Sequence, residues 1–239
     1  MDNLYVWQIE IPTYVHYLSA FEEILDQNEL RRANKLRVYD KRVEFVVCRA
    51  ILKLILADFI RVDVSEINFI YNEHGKPELS DHIYNKHMLH FNLSHSYDYV
   101  QIVLSKNCPV GVDIELIVDD SSIYSIAKYQ FTDNEFRGID RAGKIDGVKC
   151  FYSCWVRKEA FVKGYGLGLA MSLDSFEVDV GESESNLLVA NIKNRNIRDE
   201  WSIFDLHAPE GYVSAVAVKS QSVDIQYQSV NDQFLHVLC

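Results

Sequence analysis

Three acidic residues dominate the chemistry this chain could perform. Asp113 and Glu115 stand two apart in Val110-Gly111-Val112-Asp113-Ile114-Glu115. A third acid, Glu159, follows 44 residues after Glu115 in Trp155-Val156-Arg157-Lys158-Glu159-Ala160. Alternation of apolar and acidic positions predicts a strand. Val110, Val112 and Ile114 would face a core, and Asp113 and Glu115 would share the other face, about 7 Å apart. Carboxylates held that close repel unless a cation sits between them. Mg²⁺ takes oxygen ligands of this kind and is commonly shared with substrate phosphates. The bland alternative is a strand with a solvated acidic face, since charge pairs are usually exposed.

The second segment bears on that choice. Cys154 to Gly164 has helical character and runs into Gly164, Gly166 and Gly168. Trp155, Glu159 and Lys163 recur at i, i+4 and i+8 and share one stripe. Glu159 and Lys163 are readable as a surface pair contributing a few tenths of a kcal/mol. A stripe that also carries a tryptophan is expected to face protein, where a Glu-Lys pair is costly without a compensating ligand or ion.

Further blocks accompany these acids in order: Gly75-Lys76-Pro77, Phe91-Asn92-Leu93-Ser94-His95-Ser96, Phe131-Thr132-Asp133-Asn134-Glu135, and Lys163-Gly164-Tyr165-Gly166-Leu167-Gly168-Leu169. Together with Gly-x-Asp-x-Glu and Trp-x-x-Lys-Glu-Ala they resemble the signature of the 4′-phosphopantetheinyl transferases. The match is to the long, monomeric, Sfp-like (surfactin-type) branch, over about Leu30 to Val218. Each block alone is weak, and the set in one order is specific. The first 30 residues match nothing in that pattern.

The resemblance implies transfer of the phosphopantetheine arm of coenzyme A to a serine of an acyl or peptidyl carrier protein, releasing adenosine 3′,5′-bisphosphate. Asp113, Glu115 and Glu159 would hold Mg²⁺, with Mn²⁺ as a substitute; Ile114 between the strand acids cannot bind metal. Glu159 is the candidate base, directly or through a water on the metal. Glu135 is the second candidate, set against its reading as the partner of Thr132 in a helix capping box. Lys163 would stabilise the leaving phosphate, with Lys158 at the cleft edge. Arg49, Lys76, Ser94 and His95 would contact coenzyme A, Arg49 and His95 near its 3′-phosphate and Lys76 near adenine and ribose. Lys41 is a looser match, with Arg42, to a basic N-terminal segment. A planar guanidinium suits phosphate independently of any family.

Several elements must position these groups. Residues 4–11 alternate as a strand, Pro12 to Leu18 is a turn or loop, and Phe21 to Arg37 reads as one helix with acids early and bases late. Val43 to Ile60 is an apolar-striped helix. Strands are expected at Ile67 to Tyr71, Phe91 to Ser94, Tyr99 to Ser105 and Val110 to Leu116. The last two would pair around Lys106-Asn107-Cys108-Pro109. A helix at about 146–164 precedes strands at about 173–180, 186–192, 201–206 and 212–218, with a surface loop at 181–186 and a turn at Pro209-Glu210-Gly211; the tail from Ser220 is unassigned. Helix-then-strands twice over predicts an α+β fold of two similar α/β halves related by pseudo-two-fold symmetry. Residues 1–110 would bind coenzyme A and residues 111–239 would carry the acids, with the site in the cleft between.

Composition narrows the function classes. The 239 residues are 48% hydrophobic and 25% charged, ordinary for a globular protein. A net charge of −11 argues against nucleic-acid binding. No apolar run approaches the roughly 20 residues that cross a bilayer, and the N-terminus reads as no signal peptide. Five cysteines form no disulfide framework, and Cys150 and Cys154 read as packing residues, so the expectation is a cytoplasmic protein, and the resemblance implies a monomer. Against the acidic total, residues 31–53 carry eight bases (Arg31, Arg32, Lys35, Arg37, Lys41, Arg42, Arg49, Lys53) and two acids. This is either a solvated helical face or a site for phosphate or carrier protein. Two other functions fit three acids near a basic segment: a Mg²⁺-dependent phosphohydrolase, and a non-catalytic module that binds coenzyme A or carriers.

Overall fold

A computed structural model of the chain describes residues 1–181, 188–191 and 200–230. The first half runs β1 (Asp2–Glu10), α1 (Leu18–Ile24), α2 (Gln27–Lys35), α3 (Tyr39–Ile60), β2 (Phe69–Tyr71), β3 (Pro77–Leu79), α4 (Asp81–His87), β4 (Leu89–Ser96) and β5 (Tyr99–Lys106). The second runs β6 (Val110–Leu116), α5 (Ile123–Gln130), α6 (Asp133–Arg141), α7 (Gly143–Tyr165), β7 (Phe176–Val178), β8 (Leu188–Asn191), β9 (Ser202–Asp205), β10 (Tyr212–Val218) and β11 (Val223–Gln228). The mixture of helices and mostly antiparallel sheets agrees with the α+β expectation.

Two sheets form the centre. One has the order β11-β1-β5-β4 and the other β6-β10-β9. Their inner faces meet through Leu4, Val6 and Val103 on one side and Val110, Val112, Val216 and Val218 on the other. The outer face of the first sheet packs Trp7, Ile9, Val100, Ile102 and Leu104 on α3, through Val47, Ala50, Ile51 and Leu54 among others. The outer face of the second packs Ile203, Ala215 and Ala217 on α7, through Ala160 and Phe161. Each fully buried valine or leucine in these layers stabilises by roughly 1.5–3 kcal/mol. The two long helices therefore lie outside, with the sheets face to face between them.

Three expectations change. The predicted pairing of Tyr99–Ser105 with Val110–Leu116 does not form: β5 pairs with β1 and β4, and β6 pairs with β10. Val103 and Val112 meet across the inter-sheet core, so these strands stack face to face instead of joining at their edges. Asn107, in the left-handed region at φ 68°, helps carry the chain from one sheet to the other. The single helix expected over Phe21–Arg37 is two. Leu25 is extended, and Asp26 caps α2, its Oδ1 accepting from the Asn28 and Glu29 N–H groups while Glu29 accepts the Asp26 N–H. That reciprocal box starts a new helix within the run of acids. Lastly, the unassigned tail contributes β11, parallel to β1 in the first sheet, with Asp2 opposite Val223. The expected loop at 181–186 beyond Gly181 and part of the strand at 186–192 lie outside the described residues, as does the tail beyond 230.

Candidate active site

The acids are assembled by a helix lying unusually close to a strand. A Cβ on Gly111 would stand 2.2 Å from the Ala160 carbonyl oxygen and 2.2 Å from the Gly164 backbone nitrogen. Gly111 in β6 and Gly164 in α7 thus let the two backbones touch. Period 2 along β6 puts Asp113 and Glu115 on the same face as Gly111, towards α7. Period 3.6 along α7 puts Glu159 and Lys163 on the stripe beside that contact. The glycine pair is what brings strand acids and helix acid together.

β4 supplies the third wall. Asn92, Ser94 and Ser96 occupy one face of it and are all buried. The Asn92 Oδ1 accepts the Val112 N–H at 2.9 Å, Ser94 Oγ donates to Asp113 Oδ1 at 2.7 Å, and Ser96 Oγ donates to Glu115 Oε2 at 2.7 Å. The Asn-x-Ser-x-Ser spacing is a two-residue ladder set against the two-residue ladder of acids. Ser94, expected to touch coenzyme A, here orients an acid; Ser96, given no role from sequence, does the same, and Asn92 ties β4 to the β6 backbone at Val112. His95 alternates to the opposite face of β4.

The acid cluster is short of positive charge. Lys163 Nζ lies 2.6 Å from Asp113 Oδ1 and donates to Ser94 Oγ at 2.8 Å. Asp113 is 2% exposed, and its Oδ2 is buried with no hydrogen-bond partner. Burial, and then the Asp113 charge, push Glu159 above the ordinary glutamate range, with Glu115 adding to it. Burial also raises Glu115, against the Ser96 hydrogen bond and with the Asp113 charge. An orphaned buried carboxylate oxygen and two acids that resist ionisation are what a hard divalent cation would relieve. Among the described residues no three His, Cys, Asp or Glu side chains already converge as a ligand set. The Lys163 ammonium sits on Asp113, the place such a cation would take.

Beside the acids, on the other face of β4, is a cavity of about 360 Å³ lined by Arg32, Lys41, Glu44, Arg49, Tyr71 and His95 among others. Arg49 is 7% exposed, stacked over Phe69 at 4.6 Å, and its Nη1 is buried without a partner. Below it Glu29 is paired with Lys53 at 3.2 Å and with Arg49 at 3.6 Å, so two buried cations share one buried carboxylate. That imbalance favours an anion in the cavity. The expected residues Arg49, Lys41 and His95 are all here. Half-exposed His95 has its Nδ1 3.2 Å from Glu44, and burial lowers its affinity for a proton while Glu44 opposes that effect.

Sequence comparison bears on both walls of this cleft. The family described as 4′-phosphopantetheinyl transferase, N-terminal, matches residues 7–107, and the 4′-phosphopantetheinyl transferase superfamily matches residues 109–217. The chain belongs to the 4′-phosphopantetheinyl transferase superfamily. It is 29% identical over 217 residues to 4′-phosphopantetheinyl transferase HetI of Nostoc sp., covering 91% of this chain and 88% of that protein. Sfp of Bacillus subtilis is 34% identical over 128 residues, covering 54% of each chain. The L-aminoadipate-semialdehyde dehydrogenase-phosphopantetheinyl transferase of Rattus norvegicus is 24% identical over 237 residues, covering 91% of this chain and 75% of that protein. Relatives of this kind place the chain in the Sfp-like branch. The matched region starts well before Leu30, so the N-terminal strand and first helices belong to the family pattern too.

Three predicted site residues of this transferase lie elsewhere than expected. Lys158 is fully buried on the core side of α7, paired with Glu135 at 2.7 Å and donating to the Leu173 and Phe176 carbonyls. Glu135 closes the Thr132 capping box and accepts the Val178 N–H. Neither reaches the cleft: Lys158 precedes Glu159 by one residue, about 100° around the helix, and that rotation turns it into the C-terminal core. Glu135 therefore caps α6 inside the core instead of acting at the cleft, and Lys158 is its buried counter-ion, away from the cleft edge. Lys76 is at the cleft, but its Nζ donates to the Lys163 carbonyl at 2.7 Å and the Val110 carbonyl at 3.4 Å. With Asn72 Nδ2 3.4 Å from the Gly166 carbonyl, the Gly-Lys-Pro turn grips the end of α7 and the start of β6. Burial pushes the Lys76 ammonium down to about 8.

Proposed function

We propose that this chain moves the 4′-phosphopantetheine group of coenzyme A onto a serine of an apo acyl or peptidyl carrier protein. Membership of the family in both halves supports the reaction. The observation that carries the site is the juxtaposition of Asp113, with its unpartnered Oδ2, Glu115 and Glu159 with an anion-seeking cavity one strand-width away on β4. Coenzyme A fits that pair of features, since its 3′-phosphate suits the Arg49 cavity and its pyrophosphate would extend towards the acids. Mg²⁺ held by Asp113, Glu115 and Glu159, or Mn²⁺ in its place, would offset charge on the pyrophosphate.

The chain's own groups then divide the work. The carrier serine oxygen attacks the β-phosphorus, the bond to the bridging oxygen breaks, and adenosine 3′,5′-bisphosphate leaves. The serine proton passes to Glu159, directly or through a water. Lys163, one turn further along α7, turns from Asp113 to the leaving phosphate and takes up its charge. Ser94 and Ser96 keep the two strand acids in place throughout. The α3 layer and the α7 layer are read as pseudo-two-fold equivalents, residues 1–110 chiefly holding the nucleotide and 111–239 the acids. A cytoplasmic location fits Cys48, Cys108, Cys150 and Cys154, none of which is in a disulfide, and a monomer fits the Sfp-like branch. No described helix is long and apolar enough to cross a membrane.

The test is to mix the protein with coenzyme A, Mg²⁺ and a panel of apo carriers and to record intact carrier masses. A gain of one phosphopantetheine arm, lost on chelation and in Glu159→Gln, is expected. Coenzyme A hydrolysis with no carrier modified would favour a phosphohydrolase. Binding of coenzyme A by the unaltered chain, with no carrier modified and no coenzyme A hydrolysed, would favour a binding module.

A further inference from the structure

The nucleotide cavity contains one side chain of the wrong sign. Glu44, in the second turn of α3, is largely buried in a pocket whose other charged lining residues are Arg32, Lys41 and Arg49, with His95 beside them. Its Oε2 accepts from Lys41 Nζ at 2.8 Å, and its Oε1 lies 3.2 Å from His95 Nδ1. One carboxylate thus engages two of the groups that would otherwise be free for a phosphate, while Arg49 Nη1 remains unpartnered.

Resting on the proposal that the 3′-phosphate of coenzyme A occupies this cavity, we infer that Glu44 is a specificity-determining residue that weakens the hold on that phosphate. It competes with the phosphate for Lys41 and His95. The 3′-phosphate is chemically untouched by the transfer, and donor and bisphosphate product carry it alike. Affinity gained there is uniform binding, which tightens the product as much as the substrate and does nothing for the chemical step. A carboxylate placed against its cationic partners lets the spent bisphosphate go. Arg49, buried and stacked on Phe69, still supplies the recognition that separates coenzyme A from its 3′-dephospho form.

Titration calorimetry on the full chain tests this, with coenzyme A, 3′-dephospho-coenzyme A and adenosine 3′,5′-bisphosphate, on wild type and Glu44→Gln. The amide keeps the shape and removes the charge. Coenzyme A and the bisphosphate are expected to tighten together, on the order of tenfold, because like charges set against each other are costly. The dephospho form should stay within about twofold, and turnover should become more sensitive to inhibition by the bisphosphate. Weaker or unchanged binding of coenzyme A in Glu44→Gln overturns the inference, as does equal tightening of the dephospho form. Glu44→Ala repeats the test should the amide keep its contacts to Lys41 and His95. The underlying placement is checked separately: Arg49→Gln should abolish the wild-type preference for coenzyme A over its dephospho form, and a preference that persists removes the 3′-phosphate from this cavity altogether.

Discussion

Gly111→Ala adds one methyl group at the closest approach of β6 and α7. That carbon would start 2.2 Å from both the Ala160 carbonyl oxygen and the Gly164 nitrogen, where real contacts stay beyond about 3.0 Å. Both obstacles are backbone, so no rotamer change relieves the clash, and the helix must retreat by at least about 0.8 Å from the strand. Overpacking of this kind typically costs 1–3 kcal/mol, which a domain of this size tolerates. The catalytic effect should be larger than the stability effect. Asp113 sits two residues along the strand from the clash, Glu159 is adjacent to Ala160, and Lys163 is adjacent to Gly164. The retreat therefore opens the gap between strand and helix acids directly, and a misplacement near 1 Å can lower turnover on the order of 100-fold. Binding of coenzyme A alone should change little, since the Arg49 cavity is built from α3, β4 and the Gly75 turn. Carrier modification followed by mass, beside a melting curve and a coenzyme A titration on the same variant, separates these quantities. A folded Gly111→Ala protein with near wild-type turnover would show that the backbone contact does not set the acid geometry.

Glu159→Gln should reduce carrier modification by a factor of 100 or more with coenzyme A binding nearly intact; parallel loss of both would make Glu159 a general support of the cleft. Lys163→Met removes the cation that holds Asp113, so Mn²⁺ affinity measured by electron paramagnetic resonance without nucleotide should rise while turnover falls. Lys158→Met leaves Glu135 in the core with two backbone N–H donors and no cation, and breaking a buried pair in this way typically costs 3–5 kcal/mol, read as a large fall in melting temperature; an unchanged melting curve would contradict the buried pair. Glu159 holds its proton to higher pH in the folded, metal-free chain than in the unfolded one. Between the ordinary value of 4.5 and that raised value the folded state binds more protons, so this group's contribution to stability is lost as pH rises. The metal-free stability of wild type relative to Glu159→Gln should accordingly decline as pH rises through that window, while stabilisation by added Mg²⁺ grows; a difference that increases with pH has the wrong sign.

The acids were legible because strand and helix periods are local. The alternation in Val110 to Glu115 and the i, i+4 stripe of Trp155, Glu159 and Lys163 need no tertiary information. Lys158 and Glu135 were misplaced because a charged residue in a functional-looking motif carries no mark of burial. Only the packing of α6 and the 173–176 segment against α7 shows that the two neutralise each other. The Ser94 and Ser96 ladder shared its period with the acids but lay on a strand in another sheet, so its register with β6 could not be inferred. The β5–β6 error has the same origin: a short loop between two alternating strands suits a hairpin as well as a crossing between stacked sheets. Glu44 was counted only as a charge among eight bases, and its meaning rests on which two of them it touches.

The parallel pairing of β1 with β11 has a consequence for how the molecule is made. Asp2 is opposite Val223, so the strand synthesised first waits for nearly the last one described. At translation speeds of about 5–20 residues per second the interval is on the order of ten to forty seconds. Once β5 has been made it closes one hydrogen-bonding edge of β1, and the other stays open until β11 follows, in a strand containing Leu4, Val6, Trp7 and Ile9. An open apolar edge is a template for pairing with other chains. Cutting the gene between the two matched family segments, at about residue 108, would make that transient edge permanent, and the N-terminal half expressed alone should aggregate unless residues 223–228 are supplied to it.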